Sequence, residues 1–108
     1  MELKMKKLMN AFSLNMLADL PAQPLFEEIK LEGVRIELAD GFESTVGHPD
    51  TADVYTNVIG MKVPCVRSTV SLKKGDVAII GQYRGPRLPE GAKQLPEGAT
   101  IQWLRMTV

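Results

Sequence analysis

The chain has 108 residues, which suits one compact domain and is short for two. Lysine plus arginine balance aspartate plus glutamate at 13 each, and so neutral a chain is a poor duplex-DNA binder, a task that ordinarily needs a basic surface. Cys65 is the only cysteine, which excludes an intrachain disulfide and a cysteine-based zinc site.

Cys65 reads as a small buried apolar residue in a reducing compartment. Residues 1–7 are basic, but no apolar run of signal length follows, and nothing is long enough to span a membrane. The expectation is a cytoplasmic protein without a membrane partner.

In chain order, residues 7–12 read as a short first strand. Polar Ser13 and Asn15 follow, and Met16-Leu17 suits a helical turn before Pro21 and Pro24 interrupt. Residues 25–31 alternate in part and suggest a second strand. The stretch 32–40 fits either period; a short helix ending at Gly41 is preferred. The clearest helix is 49–59. Pro49 suits its first position, Ala52, Tyr55, Val58 and Ile59 share a face, and Gly60 stops it. Residues 66–72 alternate as a strand, with Val66, Val70 and Leu72 on one face. Residues 73–76 carry turn chemistry and 77–81 form an unbroken apolar strand. Together these predict an antiparallel hairpin whose second strand is central in the sheet. The last strand is 100–108, where Trp103 reads as core rather than as a base-stacking platform.

Between the last two strands, residues 83–99 are rich in glycine and proline and contain Leu-Pro-Glu-Gly-Ala twice. A loop of this length in so small a domain is either a functional lid or a disordered surface loop. The elements sum to a single α/β domain over 1–108, a mixed β-sheet flanked by helices. That class hosts many activities.

The chemistry-bearing residues are few. There is no phosphate-binding glycine loop, no metal-ligand cluster and no nucleophile elbow, so neither a metal nor a cofactor is expected. What remains is His48, the only histidine, with Gly47 before it and Pro49 after it, a few arginines, and an Asn-x-x-Ser-x-Asn cluster (Asn10, Ser13, Asn15). His48 is the one side chain that ordinarily titrates near neutral pH. Such a set suits metal-free cleavage of RNA, in which the ribose 2′-hydroxyl is the nucleophile. The protein need only position it, balance charge and protonate the leaving 5′-oxygen. Each residue also has a plainer reading. His48 suits a helix cap or a surface position, Ser13 and Asn15 turn hydrogen bonds, Arg67 a solvated strand face, and Arg87 with Glu90 a weak surface pair.

Four segments in order carry a resemblance to a known family: Asn10-Ala11-Phe12-Ser13-Leu14-Asn15-Met16-Leu17, Gly41-Phe42-Glu43-Ser44-Thr45-Val46-Gly47-His48, Val63-Pro64-Cys65-Val66-Arg67 and Arg87-Leu88-Pro89-Glu90-Gly91. Over nearly its whole length the chain resembles the small viral and phage-borne ring nucleases that act as type III anti-CRISPR proteins. Those are related to a group first described as archaeal-virus proteins of unknown function. The resemblance implies a homodimer that binds cyclic tetra-adenylate across the subunit interface under a closing loop. It implies metal-independent cleavage to linear di-adenylate ending in a 2′,3′-cyclic phosphate. His48 matches the family's general acid. Asn10, Ser13, Asn15, Gly47 and Arg67 match ligand-contacting positions, with Arg67 on phosphate. Arg87 and Glu90 match the lid motif: Arg87 for phosphate charge, Glu90 either to orient Arg87 or to accept the 2′-hydroxyl proton. Tyr83 and Arg84 are further candidates for ligand contact, although Arg84 lies outside the matched motif. Two features depart from the family. The lid is shorter than in members with a helix there, and the second repeat offers Glu97 as a competitor for Glu90, with Gln94 where an arginine would complete that copy. The alternative function is a non-catalytic module that sequesters the messenger; a structural or DNA-associated protein is a third.

Overall fold

The computed structural model describes residues 5–108; of the basic start at 1–7, the first four residues lie outside them. The strands are β1 (Lys6–Met9), β2 (Leu25–Ile29), β3 (Phe42–Ser44), β4 (Val77–Arg84) and β5 (Thr100–Thr107), and the helices are α1 (Leu31–Leu38) and α2 (Pro49–Ile59). The strands form one mixed sheet in the order β2-β5-β4-β1-β3. β1 lies parallel to both β3 and β4, and β5 is antiparallel to β4 and β2. The α/β layering read from the sequence is therefore the fold.

The apolar run at the start of β4 suits a strand buried on both faces, and β4 is indeed the middle strand. Its antiparallel partner is β5 and not residues 66–72, which form no strand. The expected inner face is only partly realised, since Val66 is exposed while Val70 and Leu72 are buried without forming a strand. Val70 and Leu72 turn inward onto Met9, Ala78, Ile80 and Met106, covering one face of the sheet. The backbone of this stretch meets the chain near 17 through a single isolated bridge, Leu17 to Leu72. The turn at 73–76 forms as read. Asp76 N–H donates to the Lys73 carbonyl at 2.9 Å, and the Asp76 carboxylate accepts from Lys73 N–H at 2.9 Å.

Both helices cover the opposite face, where Leu8, Val34, Leu38, Ala52, Tyr55, Ile59, Ile79 and Trp103 make the larger core cluster. Tyr55 of α2 meets Trp103 edge-on at 5.1 Å, and its hydroxyl donates to the Gly81 carbonyl at 2.5 Å. Burial pushes the Tyr55 phenol above the ordinary tyrosine range. α2 begins at Pro49 and ends on Gly60, which is left-handed at φ 83°. Arg35 of α1 donates from Nε to the Ile59 carbonyl at 2.8 Å and from Nη2 to the Val58 carbonyl at 3.1 Å, supplying one cation to the end of α2 where carbonyls lack helical partners. Strand β3, only three residues long, escapes a reading by alternation. β1 stops at Met9, three residues short of the expected end, and β2 stops at Ile29. Cys65 is exposed, contrary to expectation: it follows exposed Pro64, outside the buried alternation that starts at Val70.

Candidate active site

Because β1, β3 and β4 run the same way, their carboxyl ends share one edge of the sheet. In open α/β sheets ligands settle outside such ends. Three segments leave this edge: residues 10–18 after β1, 45–48 after β3, and 85–99 after β4.

The β3 exit is tightly held. Buried Ser44 donates from Oγ to the Pro64 carbonyl at 2.6 Å and accepts from Val46 N–H at 3.3 Å. Thr45 donates from its backbone N–H and its hydroxyl to the Leu8 carbonyl, at 2.9 and 3.1 Å. Val66 N–H donates to the Val46 carbonyl at 3.0 Å, and Arg67 Nε donates to the Gly47 carbonyl at 2.8 Å. A Cβ on Gly47 would stand 3.0 Å from Arg67 Cγ, so glycine lets the two backbones and the arginine stem close up. Arg67 is thereby anchored through Nε and remains exposed.

His48 is the N-cap of α2, with extended backbone at φ −120° and ψ 124°. Its carbonyl accepts from Ala52 N–H at 3.0 Å. Its side chain makes no capping hydrogen bond and is exposed. Capping is thus a backbone matter here, and the imidazole stands outside it.

The 85–99 loop is a string of anchored turns rather than a loose strap. Ala92 N–H donates to the Pro89 carbonyl and Ala99 N–H to the Pro96 carbonyl, both at 3.0 Å, with Gly91 and Gly98 left-handed at φ 80° and 81°. These are two type II turns, which need glycine at the third position. The repeated pentapeptide is the sequence of that turn. Leu88, Ala92 and Leu95 pack against the main core cluster and Ala99 is buried. Tyr83 OH donates to the Pro86 carbonyl at 2.5 Å at the loop's start, a structural use of Tyr83.

A groove of about 710 Å³ opens between the start of α2 and the first turn, lined by His48, Pro49, Asp50, Arg87, Leu88, Glu90 and Gly91. It brings His48, Arg87 and Glu90 together. Glu97, in the second turn, is not among its lining residues, which favours Glu90. Ion pairs seen among the described residues join Lys6 and Arg105 to Glu37, Arg105 to Glu27, and Lys7 to Glu43; none joins Arg87 to Glu90. Arg84 is engaged elsewhere, donating to Gln102 at 2.9 Å. Asn10, Ser13, Asn15, Gly47 and Arg67 lie at the same sheet edge but do not line this groove. Ser13 Oγ accepts from Asn15 N–H at 3.3 Å and caps a short 3₁₀ turn over Leu14–Met16, the turn role open to it from the start. Asp50 escaped the sequence reading. An acid in the first turn of a helix ordinarily complements the dipole, and nothing local marks it as facing a loop 41 positions on.

Fold and groove together define a small α/β domain with a polar cleft at the carboxyl edge of its parallel strands. A family model described as STIV B116-like matches residues 6–102, and the chain belongs to that family. Among solved structures, B116 of Sulfolobus turreted icosahedral virus shares the fold with a TM-score of 0.79, covering 97% of this chain and 100% of that one at 21% identity. No curated protein matches the sequence.

Proposed function

We propose that this chain is a metal-independent ring nuclease that opens cyclic tetra-adenylate and so switches off type III CRISPR signalling, as an anti-CRISPR protein of a virus or phage. The observation that carries the reading is an exposed, uncapped His48 at the start of α2, in one groove with Arg87 and Glu90. The four-segment resemblance to ring nucleases supplies the substrate, and the fold shared with a virus protein agrees with it.

In this reading the ribose 2′-oxygen attacks phosphorus, the bond to the 5′-oxygen breaks, and a 2′,3′-cyclic phosphate remains. His48, protonated, gives its proton to the departing 5′-oxygen. Glu90, in the same groove, takes the proton from the 2′-hydroxyl. Arg87 and the exposed Arg67 balance phosphate charge. Asn10, Ser13 and Asn15, with the Gly47 backbone, contact ribose and adenine from the same sheet edge or from a second subunit. Two copies acting on a two-fold symmetric ring would cut it twice and release two linear di-adenylates.

The test is to incubate the protein with cyclic tetra-adenylate in excess EDTA and separate the products. Linear di-adenylate with a 2′,3′-cyclic phosphate is expected. Tight binding with an intact ring after many equivalents would give the protein to the sequestering alternative.

A further inference from the structure

One charged group in the groove has no part in the chemistry above. Asp50, the second residue of α2, is half-buried and faces the cleft beside His48, Arg87 and Glu90. A carboxylate in a groove that receives phosphate opposes binding, because like charges repel. Its contribution lies in another direction. Asp50 Oδ1 accepts the N–H of Gly91 at 3.1 Å. Gly91 is the left-handed residue of the first type II turn, immediately after Glu90. On either side of that turn, Leu88 and Ala92 are seated on the main core cluster. Two apolar anchors therefore set the height of the turn above the sheet. The hydrogen bond from Gly91 N–H to Asp50 is directional and fixes the turn against the helix that carries His48. The second turn is an internal comparison: it has the same backbone hydrogen bond and the same glycine conformation, but among the described residues no side chain accepts from Gly98 N–H.

We propose that Asp50 is a positioning residue: its carboxylate latches the Glu90–Gly91 turn to the start of α2, and so holds Glu90 and Arg87 across the groove from His48. The role rests on the nuclease reading above, but the latch itself can be measured without it.

The experiment compares D50A and D50N with the parent protein. Asparagine keeps an acceptor oxygen and removes the charge; alanine removes both. In the ligand-free proteins, amide hydrogen exchange followed by NMR should show the Gly91 amide exchanging roughly tenfold faster in D50A, as local opening becomes easier. In D50N it should stay within about threefold of the parent, the amide oxygen still accepting. Gly98 in the same spectra is the reference and should not change. In single-turnover cleavage of cyclic tetra-adenylate, D50A should lose on the order of tenfold to a hundredfold in rate, since small misplacements of reacting groups are costly. D50N should recover most of that rate, and in steady-state assays D50A should move KM less than kcat. Unchanged Gly91 exchange in D50A would overturn the latch. Faster exchange with an unchanged cleavage rate would overturn the positioning role, and so would a D50N variant as slow as D50A. A parent protein that leaves the ring intact would defeat the nuclease reading and the positioning role with it, while the exchange comparison would still decide the latch.

Discussion

A histidine ahead of a helix usually needs no explanation beyond its helix. His48 departs from that because Pro49 and the His48 carbonyl already start α2, leaving the imidazole exposed in a cleft with Arg87 and Glu90. If it is the general acid, His48→Ala should reduce cleavage by about 10²–10⁴-fold, while calorimetry finds ring binding within a few-fold of the parent. A variant that cleaves normally would remove His48 from the reaction. The three groove residues were legible because each sits in a short local motif. Glu90 and Glu97 occupy the same pentapeptide and build the same turn, and in the sequence only Arg87 against Gln94 ahead of each copy favours Glu90. The packing of the first turn near α2 separates them in space, and packing is not written in five residues. Asp50 was invisible for a like reason: its partner is a backbone N–H in another segment, and any residue but proline supplies one.

At the scale of elements, the seat of α2 on the sheet decides where His48 stands. That seat is Tyr55 against Trp103 over Gly81. A Cβ on Gly81 would come within 2.6 Å of Trp103 Cζ3 and 2.7 Å of the Tyr55 hydroxyl oxygen. Gly81→Ala should therefore destabilise by about 1–3 kcal/mol or more, as overpacking does; chemical denaturation with an unshifted midpoint would contradict this packing. α1 is tied down differently. Glu37 receives Lys6 from β1 and Arg105 Nε from β5 at 3.0 Å. The hydrogen bond from Lys6, aided by its charge and that of Arg105, holds the Glu37 carboxyl below its ordinary 4.5 despite some burial. A carboxylate depressed in the folded state adds stability above its unfolded pKa and loses it as pH falls through the folded value. Thermal melts should thus place Glu37→Gln below the parent at pH 7, by about 1 kcal/mol or less for so accessible a pair, with the gap closing below pH 4.5. A gap independent of pH would mean that packing, and not charge, is what the substitution disturbs. The elements also show where period-based reading fails. In residues 66–72 the apolar alternation of the sequence matches burial only at Val70 and Leu72, and an apolar alternation does not distinguish a strand in a sheet from a segment lying across one. α2 was readable because a proline start, an apolar face and a glycine stop all agree.

For the whole molecule, α/β layering followed from the mix of apolar runs and the helix, while the strand order did not, since β1 reaches β3 and β4 through contacts distant in sequence. A groove built from one chain holds one acid and one lid, whereas a two-fold symmetric ring offers two equivalent bonds. The proposed assembly is accordingly a homodimer, and light scattering should give twice the 11.9 kDa chain mass, with or without ligand. A monomer in both conditions would undo the shared site. The central claim is narrower: one proton passes from His48 to one leaving oxygen. It is tested most directly with a cyclic tetra-adenylate whose bridging 5′-oxygens are replaced by sulfur, a leaving group that departs without protonation. The account predicts that His48→Ala, crippled on the natural ring, cleaves the sulfur-bridged ring at nearly the parent rate. Equal impairment of the variant on both rings would contradict it.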